Sequence, residues 1–401
     1  MDNVCSSKKQ IYLLVFLIPF LLGIGIDLYV PSLPAIVDYF QVNRRLVQLT
    51  ISSYMLGYGS GQLFLGVFSD SFGRKRILII CSFAYGLFSL LSAYASNIYL
   101  LNFYRLLQGL GAAGLGVVIR AVITDCFSGI SLRHAMTYLA SSWALGPIIG
   151  PFIGGYIQQY FGWQANFYVF SVYGIVLGFY ILFVIAETNN HLQPFHPLKI
   201  YKTIKTVIVN PIFIIGTVIL SFIYGVLVVF NIVGPFLIQV ILKYSAVTYG
   251  YIALSLGIAY FVGIILNKIL IKKMTAKKIS VYALFISTMI GIIMLLIGLL
   301  VPINLYIIVI PVYLLFILCG LVFPNILSMI FSLFPHASGT ASAIYGAFGV
   351  NGTFLITTLA SLLKTTSQIP MVILYIALLF ISLVLMLIAL KLKKKINNKS
   401  I

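Results

Sequence analysis

"IYLLVFLIPFLLGIGIDLYVPSLPAI", residues 11–36, runs sixteen residues without a charge before an aspartate, Asp27, and then two prolines, Pro31 and Pro34. About 20 apolar residues in a helix cross a ~30 Å hydrocarbon layer. The stretch therefore reads as a membrane span that carries a carboxylate. It lacks a small-residue cleavage site and exceeds a signal-peptide core in length, so it reads as a retained helix.

The rest of the chain agrees. Of 401 residues, 62% are hydrophobic and only 8% charged, with mean hydropathy +1.13. That is more apolar surface than one soluble core hides, and the implied solvent is lipid. Apolar runs recur at residues 11–33, 46–68, 77–95, 98–122, 134–157, 164–186, 210–233, 246–268, 279–300, 303–328, 338–361 and 370–390. The expected fold is an all-α integral membrane protein of twelve transmembrane helices. Short gaps leave no room for a soluble domain.

A net charge of +19 suggests nucleic acid until the placement of the basic residues is followed. Lys8, Lys9, Arg74, Lys75, Arg76, Arg133, Lys199, Lys202, Lys205, Lys268, Lys272, Lys273, Lys277, Lys278, Lys391, Lys393, Lys394, Lys395 and Lys399 fall at one set of alternating helix ends. The other set holds Arg44, Arg45, Lys243 and Lys364, while Arg105 and Arg120 lie inside helices. The positive-inside rule then predicts both termini in the cytoplasm and no nucleic-acid partner.

Enzyme chemistry finds no support. Cys5, Cys81, Cys126 and Cys319 lack metal-type spacing and read as isolated thiols. His134, His191, His196 and His336 sit in loops or at helix ends, and no nucleophile with a nearby base assembles from them. "GLGAAG", residues 109–114, matches a dinucleotide fingerprint but lies inside an apolar helix, where small residues serve close helix packing. The sequons at Asn351 and Asn398 fall in a span and in the tail.

One long polar connection, "ETNNHLQPFHPLKIYKTIKTVIVN" (187–210), divides the spans six and six. The expected organisation is a six-helix bundle at 1–186, a cytoplasmic linker at 187–209, and a second bundle at 210–401 with a short lysine-rich tail. The linker's spaced lysines suit either an amphipathic stretch on anionic lipid or a solvated loop. Repetition between halves is faint: a proline late in the first span of each (Pro31 and Pro34, then Pro235) and a small-residue-rich fifth span.

"GVFSDSFGRKRIL" (66–78) joins the second and third spans and resembles the loop signature of the major facilitator superfamily at Gly66, Asp70, Gly73, Arg74 and Lys75. Ser71 stands where that pattern commonly has arginine. "RLLQGLG" (105–111) resembles the superfamily's fourth-helix motif. "GPIIGPFIGG" (146–155), with Gly146, Pro147, Gly150, Pro151, Gly154 and Gly155, resembles the fifth-helix signature of its 12-helix drug:proton antiporters. "IDLYVPSLPAI", "VVIRAVITDCF" and "FPHASGTASA" (334–343) further resemble the bicyclomycin-resistance (Bcr/CflA) type of multidrug exporter. Each motif also has a plain reading: a basic turn obeying the topology rule, or glycines and prolines serving packing and bending. An acid among three basic residues works against the first.

The resemblance implies a monomeric multi-pass protein of the bacterial inner membrane, in contact with lipid and a small-molecule substrate. It needs no cofactor or metal, and H+ is the coupling ion. It implies two bundles rocking about a midplane cavity, with a cytoplasmic gate in which Arg74 sits beside Asp70 and Asp125 completes the set. Arg120, at the same interface, is assigned to that gate.

Asp27 is the candidate proton carrier. The acids are Asp2, Asp27, Asp38, Asp70, Asp125 and Glu187, and only Asp27 lies deep in a span. At 1.5 Å per residue it stands roughly 24 Å from the cytoplasmic end, and Arg105 roughly 10 Å in from the opposite end. The two depths agree within boundary error. A carboxylate in a span costs roughly 2.5–3.5 kcal/mol and usually faces a cavity or a partner. Arg105 is the candidate partner; the alternative is an aspartate bonded to backbone freed near Pro31 and Pro34. Gln108, one turn from Arg105, is a candidate substrate contact, with Tyr29, Met55, Tyr58, Trp143, Phe230, Asn231, Tyr345 and Asn351 as further cavity candidates or ordinary packing. Three functions remain open: an H+-antiporting exporter of a drug-like compound, metabolite or small chelator; a proton-coupled nutrient importer; and a membrane sensor or scaffold that moves nothing.

Overall fold

The computed structural model of the chain describes residues 7–189, 209–334 and 338–399; the side chains of 338–340, 343 and 393–399 fall outside that description. The linker lysines, His191, His196 and His336, part of the 334–343 motif and most tail lysines therefore lie outside the described residues.

The described residues form long α-helices. In the first half these are α1 (Lys8–Asp27), α2 (Leu33–Phe40), α3 (Arg44–Phe72), α4 (Arg74–Ala93), α5 (Ile98–Cys126), α6 (Gly129–Phe161) and α7 (Trp163–Val184). In the second they are α8 (Pro211–Pro235), α9 (Ala246–Leu270), α10 (Ala276–Leu300), α11 (Leu305–Phe331), α12 (Ser338–Ser361) and α13 (Ile369–Lys399). A 3-10 turn, Val30–Ser32, joins α1 and α2 into one broken span, and a π turn, Phe236–Ile241, extends α8. Twelve spans result, as the apolar runs predict. By length and composition alone, nine helical stretches among the described residues can cross a membrane. The other three spans, α3, α6 and α12, are diluted by Gly, Ser, Thr and Asn.

Helix starts are written locally. Asn43, Asn97, Asn210, Thr275 and Asn304 each cap a helix by accepting from its first free N–H groups. Ser7 and Gln10 form a reciprocal capping box on α1. Cys81 and Cys319 are free buried thiols. Cys126 corrects the reading of four isolated thiols: it is disulfide-bonded. Spacing in sequence carries no sign of such a pairing.

The chain groups into two units, Met1–Pro197 with Ala246–Tyr251, and Leu198–Ser245 with Ile252–Ile401. In the first, α3 packs along α5, α4 along α5 and α7, and α1 along α6. In the second, α8 packs against α11, α12 and α13, and α10 against α11 and α13. The α9 and α11 backbones meet at Gly263 and Gly320, and Asn267 and Asn325, both buried, pair their amides across that contact.

Small residues set these distances, because lipid tails supply no hydrophobic drive between helices and contact must come from close backbone approach. The 109–114 run shows it. A Cβ on Gly109 would lie 2.2 Å from the Tyr54 carbonyl oxygen of α3, and one on Gly114 would lie 2.2 Å from Cys81 Sγ of α4. Gly109→Ala is expected to push α3 and α5 apart and destabilise the protein by about 1–3 kcal/mol. Thermal unfolding of the purified variant in detergent checks this, and an unaltered melting temperature contradicts it.

Candidate functional site

The first span breaks where its prolines dictate. Pro31 and Pro34 have no N–H, so helical bonding stops: the Leu28 N–H still reaches the Ile24 carbonyl, and the chain then tightens into the turn that closes from Ser32 N–H to the Tyr29 carbonyl. The last helical carbonyls of α1 need partners from elsewhere. Both terminal nitrogens of Arg105, on α5, donate to the Gly25 carbonyl at 3.3 Å. The guanidinium thus caps the C-terminal, negative end of α1.

Arg105 is fully buried. Its Nη1 also donates to Gln108 Oε1 (2.6 Å), whose amide donates to Ser89 Oγ on α4 (2.6 Å). Its carbon centre lies 4.5 Å from the Tyr29 ring, 4.4 Å from Tyr54 and 5.9 Å from Phe167. Tyr29 is in turn held by a 2.7 Å hydroxyl bond to Thr50. Bonds to a charged group contribute about 1.5–3 kcal/mol and desolvated cation–π contacts about 2 kcal/mol. Together these offset the roughly 2.5–3.5 kcal/mol cost of a cation in a span. Five elements build the cage: α1 with its break, α3, α4, α5 and α7.

Asp27 is the last residue of α1, two beyond the carbonyl that Arg105 holds, and only 5% exposed. The other described acids are all more exposed. The glycines of the fifth span make room for it. A Cβ on Gly146 would sit 2.2 Å from the Gly23 backbone, one on Gly150 would sit 3.2 Å from Asp27 Cβ, and one on Gly154 would overlap the Leu28 carbonyl. The stripe lies at every fourth residue, on one face of α6. That fifth-span motif lays the α6 backbone directly against the break.

A second charged cluster lies at the α3–α4 turn. Arg74 donates to Asp70 Oδ1, to Ser69 Oγ (2.7 Å) and to Asp125 Oδ2 at the end of α5 (3.2 Å). Arg120, on the same helix as Asp125, stands about 140° from it around the axis and lies within electrostatic reach of Tyr58. Missing from the sequence reading is Glu187, whose carboxylate accepts the backbone N–H groups of Arg74 (2.8 Å) and Lys75 (3.1 Å). The signal available for it was one acid at the start of an otherwise basic linker.

The cavity candidates divide between the units. Tyr29 and Gln108 belong to the cage around Arg105, Met55 is buried on α3, Tyr58 stacks on Tyr54 at 6.3 Å, and the Trp143 carbonyl abuts Gly23. In the second unit Phe230 meets Phe316 at 6.3 Å and Tyr345 meets Phe331 at 6.0 Å. Asn351 donates to the Ala347 carbonyl of its own helix, and Asn231 is half-buried on α8.

A multi-span helical membrane protein with one charged cluster at a helix break and another at a turn is the class these observations define. The sequence profile of the Major Facilitator Superfamily matches residues 15–357, and the chain belongs to that family, whose members are membrane transporters rather than enzymes. It is 32% identical over 247 residues to an uncharacterized transporter of Rickettsia felis, covering 61% of each chain. It is 35% identical over 165 residues to the bicyclomycin resistance protein homolog of Haemophilus influenzae, covering 41% of this chain and 42% of the other. The matched stretch thus spans under two thirds of either relative. The crystal structure of a D-xylose-proton symporter shares the fold with a TM-score of 0.74, covering 95% of this chain and 97% of that one at 15% identity.

Arg105→Lys keeps the charge but loses the fork that holds Gly25 and lies against the tyrosines; it is expected to lower stability by about 1.5–3 kcal/mol. Tyr29→Phe, which removes one hydroxyl bond, should lose only about 0.5–1.5 kcal/mol. Chemical unfolding of both variants in detergent ranks them, and the reverse order contradicts the cage.

Proposed function

We propose that the protein is a proton-coupled exporter of small molecules, monomeric in the membrane, working by alternating access. The observation that carries the reading is the burial of Asp27 at the broken end of α1, next to the carbonyl capped by Arg105. Burial disfavours the ionised form of a carboxylate, and a nearby guanidinium favours it. Small movements at the break therefore have leverage over whether Asp27 holds a proton.

In the cycle inferred here, cargo entering from the cytoplasm displaces the proton of Asp27. Reprotonation from the opposite side then favours release. Export rather than import is supported by the glycine–proline signature of α6 and by the name of the Haemophilus relative, a bicyclomycin resistance protein homolog. A mostly apolar wall with one removable negative charge suits lipophilic or cationic cargo. The cluster of Arg74 with Asp70 and Asp125 is read as the inner gate, its ion pairs strengthened where water is scarce.

In proteoliposomes, tetraphenylphosphonium serves as a lipophilic-cation probe. For the native chain, probe binding is expected to release protons, and an imposed pH gradient is expected to drive probe flux. Asp27→Asn should bind the probe but release no proton and lose gradient-driven flux. Unchanged coupled flux in that variant refutes the assignment, and flux in the importing direction only refutes export.

A further inference from the structure

The first turn of α4 lacks a cap of its own. Gly73 both ends α3 and precedes α4 with φ of 95°, a conformation suited to glycine, and it has no side chain to offer the free N–H groups. Glu187, 113 residues ahead of Arg74, takes that place, with one carboxylate oxygen on the Arg74 N–H and the other on the Lys75 N–H. An anion at the positive end of a helix is favoured there. The fit leaves no slack: a Cβ at residue 73 would stand 2.5 Å from Glu187 Oε2.

The next two residues continue the attachment. Thr188 Oγ1 donates to Asp125 Oδ2 at 3.3 Å, and Asn189 Nδ2 donates to the Asp70 carbonyl at 3.1 Å. The N–H groups of both also return to Glu187 Oε1 at 3.0 Å. Residues 187–189 therefore touch Arg74, Lys75, Asp125 and Asp70. A loop serving only as a connection has no need to reach every member of the ion-pair cluster.

We propose that Glu187 is a positioning residue of the inner gate: by capping α4 it holds Arg74 between Asp70 and Asp125, so the start of the linker is part of the gate. This rests on reading that cluster as a gate. Its consequence is mechanical. Displacing the linker at Glu187 frees the α4 N-terminus and loosens both ion pairs of Arg74 together.

The test is backbone hydrogen exchange on the full-length protein in lipid, with probe binding and flux of tetraphenylphosphonium measured in parallel. Glu187→Gln is expected to speed exchange at Arg74 and Lys75 by roughly tenfold and to speed it at the 124–126 end of α5 as well. Probe affinity should be kept while the flux rate changes. Gly73→Ala, which crowds the same carboxylate, should give the same pattern, and the two together should do no more than either alone. Unchanged exchange at Arg74 and Lys75 overturns the proposal. So does faster exchange confined to those two residues, which marks a local cap only, or altered exchange with unaltered flux. Should the native chain show no flux, the exporter reading fails by itself, and exchange at 124–126 still decides whether Glu187 holds the cluster.

Discussion

Proline cannot donate a backbone hydrogen bond, and lipid cannot replace one. Pro31 and Pro34 therefore force the first span to open near Asp27, and every group exposed by that opening must find a partner inside the protein. Arg105 is the partner brought to the Gly25 carbonyl. Its own charge must then be satisfied in turn, which explains Gln108, Ser89 and the ring faces of Tyr29, Tyr54 and Phe167 around it. The cage is a chain of obligations that begins where the first helix stops.

Glycine makes the chain short enough to close. Gly146, Gly150 and Gly154 let α6 approach α1 at the level of Asp27, while Gly109 and Gly114 let α5 approach α3 and α4. A side chain at any of these positions would part the helices, and a hydrogen bond lost over even 1 Å is lost almost wholly. The residues that appear least chemical thus set the distances on which the charged ones depend.

Both charged clusters share α5. Arg105 lies near one of its ends and Asp125 near the other, twenty residues or roughly 30 Å apart along an unbroken helix. A stiff element of that length ties the environment of Asp27 to that of Arg74 without any contact between them. On the exporter reading proposed above, that one rigid body would link the protonation of Asp27 to the stability of the inner gate. Glu187 adds a third connection, from the linker to the α4 turn.

Much of this was legible in the residues alone. Hydropathy runs found the twelve spans because lipid imposes a length and a composition on each one separately, and the asparagine caps, proline break and signature glycines are equally local. Asp27, Arg105, Asp70 and Arg74 stood out because charge is scarce in such a chain. Partnership was not legible. That Arg105 holds a backbone carbonyl, that Cys126 is bridged and that Glu187 caps a helix begun 113 residues earlier all depend on how separate helices are rotated and brought together. Backbone carbonyls and N–H groups are identical at every position, so no residue type announces which of them is left without a helical bond. Only the packed helices decide that, and the side chains that answer follow from it.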